Sequence, residues 1–228
     1  MPGSMDLALF DLDHTLLPLD SDTEWTRFLA RIGVLDGALV EHASAGFVRD
    51  YEAGALDIDA FLRFQLAPLA AHPRGTLLGW RARFVDEVIR PAVLPPALEL
   101  VERHRARGDL LALVTATNAF VTAPIARLFG IEHLVATALE ERAGAFTGRP
   151  AGTPSFREGK VARTTEWLGT LGRGLHAFER SWCYGDSRND LPLLECVTDP
   201  VATNPDDVLH ATAIERGWRV VRLFEGRA

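Results

Sequence analysis

Two acidic clusters stand out among the residues of this chain that could do chemistry. The first is the pair Asp11 and Asp13, which directly follows the short apolar run Leu7–Phe10. Side chains two residues apart in extended backbone point to the same side, so the two carboxylates are predicted to lie together. The second cluster, residues 185–190 (Gly-Asp-Ser-Arg-Asn-Asp), follows another apolar run, Ser181–Tyr184. Carboxylates held this close repel one another unless a cation or a proton neutralises them.

The oxygen-rich composition of these clusters predicts a site for a hard divalent cation. Mg²⁺ prefers oxygen ligands such as carboxylates. The candidate metal ligands are Asp11, Asp13, Asp186 and Asp190. The alternative is that these residues only cap helices and form turns, since Asp and Asn favour both roles. The occurrence of two such clusters, each directly after a predicted strand, favours the metal site.

Short apolar runs alternate with helical patterns along most of the chain. The predicted strands are Leu7–Phe10, Leu110–Val114, Ser181–Tyr184, Val197–Ala202 and Trp218–Leu223. Helical periodicity is found in Pro96–Arg107, Phe120–Phe129, Glu158–Leu168, Leu191–Cys196 and Pro205–Arg216. This alternation predicts an α/β fold with a parallel sheet. Ligands bind at the carboxyl ends of the strands in such sheets, and the polar clusters lie there.

One segment, from Ser21 to about Arg90, interrupts the alternation with helical patterns alone. The candidate helices in it are Asp22–Arg31, Gly37–Ala53, Asp57–Ala67 and Thr76–Ile89. Prolines at positions 91, 95 and 96 mark the return to the sheet. We therefore predict that residues 1–20 and 91–228 form the core, and that residues 21–90 form an inserted helical cap.

Composition limits the classes of function. The 228 residues carry a net charge of −7, which argues against nucleic-acid or anionic-membrane partners. No apolar run approaches the length of a transmembrane helix, and the first residues predict no signal peptide. Two cysteines, Cys183 and Cys196, are too few for a disulfide framework, so we expect a cytoplasmic protein. The sequence leaves the oligomeric state open.

The acidic clusters carry a resemblance to a known family. The pattern Asp11-x-Asp13-x-Thr15 resembles motif I of the haloacid dehalogenase-like phosphohydrolases. Thr115 resembles motif II, Lys160 falls at motif III, and residues 185–190 resemble motif IV. All four motifs occur in the family's order and span nearly the whole chain. The resemblance implies a Rossmann-like core with a helical C1 cap, and it is greatest to the phosphoserine-phosphatase-like subgroup.

The resemblance also implies a role for each motif residue. Asp11 is the expected nucleophile, forming an aspartyl-phosphate, and Asp13 is the expected general acid and base. Asp11, Asp186 and the backbone carbonyl of Asp13 are the expected Mg²⁺ ligands, with Asp190 supporting them. The expected phosphate-binding residues are Thr115, Ala116, Lys160 and Asn189, with Asn189 orienting either Lys160 or the phosphate.

The chain departs from the phosphoserine phosphatases in the cap and in motif II. A glutamate of that subgroup aligns with Asp20, and an arginine that pairs with the serine carboxylate aligns with Gln65. Motif II, Ser-Gly-Gly in that subgroup, is Thr-Ala-Thr at residues 115–117 here. Asp20 and Gln65 are thus the candidate specificity residues. The Asp20 carboxylate could pair with an amine of the substrate, and the cap has no obvious arginine to bind a substrate carboxylate. Histidinol phosphate is therefore a candidate substrate, and phosphoserine remains another.

The sequence therefore predicts a Mg²⁺-dependent phosphomonoester hydrolase that acts on a small organic phosphate. Asp at position 13 favours a phosphatase or phosphomutase, because the other branches need no acid or base there. A phosphotransferase or phosphomutase of the same family is the nearest alternative. A phosphate-binding protein without turnover is the alternative of a different class, although none of the motif residues is missing.

Overall fold

The computed structural model describes residues 5–224, so the ends of the predicted core, residues 1–4 and 225–228, lie outside it. The eight strands of the described part are β1 Leu7–Phe10, β2 Leu110–Asn118, β3 His133–Thr137, β4 Leu139–Arg142, β5 Ala145–Pro150, β6 Ser181–Gly185, β7 Asp199–Thr203 and β8 Arg219–Val221. Six of them form one sheet in the order β3-β2-β1-β6-β7-β8. All pairings in this sheet are parallel, whereas β4 and β5 form a separate antiparallel hairpin. The predicted α/β class with a parallel sheet is confirmed.

The central strand β1 is buried on both faces, which explains its unbroken apolar run. It pairs with β2 on one side and β6 on the other, so that Leu9 lies between Ala112 and Cys183. Leu7 and Leu9 contribute to one hydrophobic cluster, and Ala8 and Phe10 to the other, as expected when side chains alternate across a strand. A parallel strand covered on both faces reads as continuous apolar sequence.

Helices cover both faces of the sheet. The helices after the insert are α6 Pro95–Ala106, α7 Ala119–Leu128, α8 Glu158–Thr170, α9 Leu191–Leu194 and α10 Asp207–Arg216. Buried residues of α6 and α7 belong to the cluster that contains Phe10. Buried residues of α8, α9 and α10 belong to the cluster that contains Leu9. The sheet is therefore sandwiched between two helical layers, as in other doubly wound α/β proteins.

The segment predicted to be a helical insert consists of helices joined by short loops, with no strand among its described residues. It contains α1 Ser21–Arg31, α2 Gly37–Glu52, α3 Ile58–Ala71, α4 Arg74–Phe84, a π-helical turn at Val85–Ile89 and the short α5 Arg90–Ala92. Trp25 of α1 is fully buried and lies against the rings of Phe28, Phe84 and Phe120. Phe120 belongs to α7, so these aromatic contacts join the insert to the core. The division of the chain into core and cap domains stays a prediction.

Two further features bear on the sequence predictions. Strand β2 continues four residues beyond Val114, to Asn118, so Thr115 lies within the strand and not at its end. None of the helices in residues 5–224 is long and apolar enough to span a membrane.

Candidate active site

Asp11 extends the central strand by one residue and carries the first functional carboxylate. Its backbone N–H donates to the Tyr184 carbonyl at 2.9 Å, which continues the pairing of β1 with β6. The side chain is buried at the carboxyl end of the sheet. Thr15 donates its hydroxyl to Asp11 Oδ2 at 3.0 Å, and Lys160 Nζ donates to Oδ1 at 2.6 Å. The orientation of the Asp11 carboxylate is thus fixed from both sides.

Lys160 lies in the first turn of α8 and is the only lysine of the chain. Its ammonium also donates to Asp190 Oδ1 at 2.5 Å, so it bridges the two acidic clusters. Gly159 permits this entry into the helix, because a Cβ at that position would lie 2.0 Å from the Pro154 carbonyl oxygen. Burial alone would lower the pKa of Lys160, but the charges of Asp11 and Asp190 outweigh it and raise the pKa. The lysine therefore stays protonated.

Asp190 shapes the second acidic cluster. Its Oδ2 accepts the backbone N–H groups of Asp186 at 3.1 Å and Ser187 at 3.3 Å, which closes a tight turn after β6. Gly185 is required at the end of the strand, because a Cβ there would lie 2.5 Å from the Asp190 Cβ. The residue pattern Gly-Asp-x-x-Asn-Asp thus encodes a turn in which the carboxylate of the last residue accepts the N–H groups of the second and third residues.

The carboxylates fit a divalent cation. Oxygens of Asp11, Asp186 and Asp190 all lie within 4.8 Å of one another, and all three residues are buried. The three carboxylates lie together, and the ammonium of Lys160 contacts two of them. Burial raises the pKa of Asp11 to about 6, an increase that Lys160 opposes and Asp190 supports. Clustered carboxylates are hard oxygen donors of the kind that Mg²⁺ prefers.

Asp13 projects from the same loop but has different neighbours. Its Oδ1 accepts the backbone N–H of Ser21 at 2.7 Å, and its Oδ2 accepts the hydroxyl of Thr117 at 2.9 Å. Burial raises the pKa of Asp13 well above its ordinary value, and the charges of Asp20 and Asp11 raise it further. A carboxyl with a raised pKa beside an acidic cluster suits a general acid and base.

The predicted phosphate-binding residues of motif II lie on the neighbouring strand. Phe10 pairs with Leu113, so Thr115 runs alongside the loop that begins at Asp11. Thr115 is fully buried, and its hydroxyl accepts the N–H of Thr117 at 3.2 Å. The carbonyl of Ala116 accepts the hydroxyl of Thr137 at 2.6 Å. Both residues continue β2 past its pairing with Phe10, and their role in binding phosphate stays a prediction.

The structure gives Asn189 a partner that the sequence did not indicate. Its side-chain oxygen accepts Nε of Arg157 at 3.1 Å, and the structure records no bond between Asn189 and Lys160. Arg157 also approaches the carbonyl of Gly54, after α2, at 3.4 Å, and so connects the insert to the core. The backbone of Arg157 has φ of 50° and ψ of −120°, which is unfavourable for a residue with a side chain. No motif could have predicted this residue.

The two candidate specificity residues lie in different surroundings. Asp20 caps α1, and its Oδ1 accepts the N–H of Thr23 at 2.7 Å, while its charge still acts on Asp13. Gln65 lies on α3 and is buried, and its side-chain oxygen has no hydrogen-bond partner among the described residues. Their role in choosing the substrate stays a prediction.

Asn204 is another residue that sequence reasoning missed. It follows β7, and its amide donates to the carbonyls of His14 at 2.8 Å and Thr15 at 3.3 Å. His14 has a positive φ of 59°, so the loop after Asp11 turns sharply at this point. The hydrogen bonds of Asn204 thus stabilise the loop that carries Asp11, Asp13 and Thr15. A lone Asn after a strand reads as a turn residue, so the sequence offered no signal for this contact.

Comparison with known proteins places this arrangement in a family. The haloacid dehalogenase-like hydrolase pattern matches residues 8–195, which is most of the chain. A histidinol-phosphatase of Neisseria meningitidis is 43% identical over 219 residues, covering 96% of this chain and 99% of the relative. A phosphoserine phosphatase of Mycobacterium tuberculosis is 32% identical over 216 residues, covering 93% of this chain and 69% of the relative.

Solved structures agree with this assignment. A crystal structure of a protein of unknown function from Bordetella pertussis has a TM-score of 0.92 and 51% identity, covering 97% of this chain and all of the other. A phosphoserine phosphatase solved as a phospho-aspartyl intermediate analogue has a TM-score of 0.68 at 19% identity, covering 97% and 95% of the two chains, and shares the fold. The predicted Rossmann-like fold and phosphatase class are confirmed. The chain belongs to the haloacid dehalogenase-like hydrolases.

Proposed function

We propose that this chain hydrolyses histidinol phosphate, with Mg²⁺ as cofactor, Asp11 as nucleophile and Asp13 as general acid and base. The observation that carries the chemistry is the buried contact of Asp11 with Lys160 and Thr15, directly beside Asp13. This contact holds the Asp11 carboxylate in a fixed orientation and places the positive charge of Lys160 where the phosphoryl oxygens would bind. It is the arrangement that nucleophilic transfer of a phosphoryl group needs.

Two displacements at phosphorus complete the reaction. A carboxylate oxygen of Asp11 attacks phosphorus, and the bond between phosphorus and the alkoxide oxygen breaks to leave an aspartyl-phosphate. Asp13 gives its proton to the departing alkoxide, which leaves as the alcohol. Water then attacks phosphorus and passes a proton to Asp13, while the bond between phosphorus and the Asp11 oxygen breaks. Inorganic phosphate leaves, which restores the Asp11 carboxylate and the protonated Asp13 carboxyl.

The remaining site residues stabilise charge around phosphorus. Lys160 offsets the negative charge of Asp11 and of the transferring group, and hydroxyl and amide donors of Thr115 and Ala116 bind the phosphoryl oxygens. Asn189, held by Arg157, orients the group from the other side. Asp11, Asp186 and the Asp13 carbonyl would hold Mg²⁺, which as a Lewis acid would neutralise phosphoryl charge. Asp190 would support these ligands through its bonds to the turn after β6.

The near full-length likeness to a histidinol-phosphatase supports the choice of substrate. The chemistry of the two candidate specificity residues supports it as well, since Asp20 directly precedes the insert and Gln65 lies within it. Histidinol phosphate carries an amine and no carboxylate, and Asp20 offers negative charge near Asp13 while Gln65 replaces a carboxylate-binding arginine. The insert, residues 21–90, acts as a cap that selects this small substrate, and the core performs the transfer. Free cysteines, buried at 183 and exposed at 196, support a reducing cytoplasm.

A panel of phosphomonoesters tests this proposal. Purified protein with Mg²⁺ is assayed for phosphate release from histidinol phosphate, phosphoserine and p-nitrophenyl phosphate, with and without an added alcohol as acceptor. We expect the highest kcat/KM for histidinol phosphate and no activity in Asp11→Asn. A preference for phosphoserine would reject the substrate, transfer to the alcohol in preference to water would indicate a phosphotransferase, and no turnover at all would indicate a binding protein.

Variants of the cap test where the substrate is chosen. Asp20→Asn and Gln65→Ala should lower kcat/KM for histidinol phosphate more than for p-nitrophenyl phosphate, whereas Asp13→Asn should damage both. Equal losses on both substrates for the two cap variants would argue against recognition by the cap.

A further inference from the structure

The two oxygens of the Asp13 carboxylate are held by donors from different parts of the chain. The Ser21 N–H, at the start of α1, bonds Oδ1 at 2.7 Å, and the Thr117 hydroxyl, in β2, bonds Oδ2 at 2.9 Å. The backbone donor is fixed by the helix. The hydroxyl donor can rotate, so its direction depends on what surrounds it.

Thr117 lies at the centre of a buried polar cluster. The Ser21 hydroxyl lies 3.2 Å from the Thr117 hydroxyl and can donate to it. A hydroxyl has one proton, so Thr117 then gives its own proton to one carboxylate only. The carboxylates within its reach are those of Asp13 and Asp22. What holds Asp22 therefore decides how firmly Thr117 serves Asp13.

Asp22 is a buried carboxyl that the proposed reaction does not use. It is 3% exposed, in the first turn of α1, and Asn118 donates its amide to Oδ1 at 3.4 Å. Its recorded partners in the described part of the chain are polar side chains without positive charge. Asn118 in turn caps α7 by accepting the Val121 N–H at 3.1 Å. Asp22 thus connects the first helix of the insert to the end of β2.

The position of Thr117 is one where this chain departs from the motif of the phosphoserine phosphatases. Motif II there reads Ser-Gly-Gly, and the third residue has no side chain to bond Asp13. Here the third residue is a threonine with an exposed fraction of 2%, in contact with the catalytic carboxylate. The substitution therefore adds a donor at the site.

We propose that Thr117 and Asn118 form a positioning pair for Asp13, in which the Asn118 amide satisfies Asp22 so that the Thr117 hydroxyl is left to orient the Asp13 carboxylate. The inference rests on the proposed role of Asp13 as general acid and base. The pair keeps Asp13 aimed at the leaving oxygen in the first displacement and at the attacking water in the second. Burial and the charge of Asp20 raise the pKa of Asp22 to about 7, in keeping with a carboxyl that has neutral partners.

The test compares Thr117→Val, Thr117→Ser and Asp22→Asn on two substrates. Thr117→Val keeps the shape but removes the hydroxyl, and Thr117→Ser restores it. With histidinol phosphate, whose alkoxide needs a proton, we expect kcat to fall about 10–100-fold in Thr117→Val, KM to change little, and Thr117→Ser to recover most of the loss. Asp22→Asn removes the competing carboxylate and leaves the Thr117 bond to Asp13 in place, so kcat should stay close to that of wild type, and a loss as large as that of Thr117→Val would contradict the proposal.

With p-nitrophenyl phosphate the rates of the two displacements can be measured separately. The nitrophenolate leaves without a proton, so the pre-steady-state burst in Thr117→Val should keep its rate while the steady-state rate falls. A merely structural loss would slow both phases. Thr164→Val is the matched control, because Thr164 is a fully buried threonine of α8 whose hydroxyl has no partner among the described residues.

The outcomes separate this inference from the proposed function. Wild-type kcat on histidinol phosphate in Thr117→Val, alongside an impaired Asp13→Asn, would overturn the positioning pair and leave the proposed function intact. Equal losses in Thr164→Val and Thr117→Val, or a slowed burst, would also overturn it. Retained activity in Asp11→Asn would overturn the proposed function itself.

Discussion

Removal of the ammonium that joins the two acidic clusters should affect both stability and activity. In Lys160→Met the apolar part of the side chain is kept while the charge is lost. Asp11 Oδ1 and Asp190 Oδ1 lose bonds of 2.6 and 2.5 Å, and both residues are buried. Asp11 keeps the Thr15 hydroxyl, and Asp190 keeps the N–H groups of the turn after β6, so the loops retain their shape.

The expected loss of stability follows from the burial of the ion pairs. Removing one partner from a buried salt bridge costs about 3–5 kcal/mol, because a charge is left uncompensated in a poorly solvated place. For a chain of this size that loss corresponds to a fall in Tm of roughly 6–20 °C. Mg²⁺ supplies positive charge to the same carboxylates, so the difference between wild type and variant should be largest in EDTA.

Thermal unfolding in EDTA and in Mg²⁺, together with phosphate release, measures both effects. Arg83→Met is a matched control, since Arg83 is half exposed and pairs with Glu87 at 3.0 Å on the surface. We expect the control to change stability by less than about 0.5 kcal/mol. Activity of Lys160→Met should fall by at least about 10²-fold. A Tm in EDTA equal to that of wild type would refute the reasoning that Lys160 balances buried carboxylates.

Three further perturbations have defined outcomes. EDTA should abolish activity and Mg²⁺ restore it, while Ca²⁺, which takes more ligands at longer distances, should support little; full activity in metal-free protein would refute the metal site. Burial lowers the pKa of His104 below its ordinary 6.5, although its bond to Asp109 opposes the shift. The unfolded chain therefore binds more protons than the folded chain near this pH, and stability should fall as pH drops below about 6.5. Urea unfolding of wild type and His104→Gln should show a weaker pH slope in the variant over that window, and identical slopes would contradict this. Arg157→Gly should be more stable than Arg157→Ala by about 1 kcal/mol, because glycine accepts the positive φ, while both lose kcat/KM equally with the bond to Asn189. A more stable Ala variant would argue against backbone strain at this position.

Much of the fold follows from local sequence. Strand β1 has the predicted bounds because an unbroken apolar run ends at a charged residue, which is how a strand buried on both faces reads. Strand β2 is longer than predicted, since its polar end pairs with β3 through Asn118 and Thr137, a contact between distant residues. Strand β3, with its mixed run His133–Thr137, has no periodicity that distinguishes it. Helix α3 extends to Ala71, beyond the predicted Ala67, with Pro68 inside it.

The candidate site, like the fold, is only partly predictable from local sequence. Asp11, Asp186 and Asp190 follow from acidic motifs after predicted strands, and Lys160 from the family resemblance; the structure brings the four together. Their roles, and those of Asp13, Thr115, Ala116 and Asn189, stay predictions.

The contacts of Thr117 and Arg157 did not follow from the sequence. Thr117 meets Asp13 across 104 residues, and Arg157 meets Asn189 across 32. Such pairs depend on which segments meet after folding, and neither a threonine near the end of a strand nor an arginine before a helix predicts its partner.

The central claim is that the phosphoryl group passes through Asp11. The Asp13→Asn variant lacks the base for the second displacement, and p-nitrophenyl phosphate needs no acid for the first. This variant should therefore accumulate the aspartyl-phosphate when it is given this substrate. Borohydride reduction of the trapped aspartyl-phosphate, followed by peptide mapping, identifies the modified residue. We expect a burst of one nitrophenolate per chain and conversion of position 11 alone. A burst with modification at another residue, or phosphate release with no modified peptide, would contradict the account.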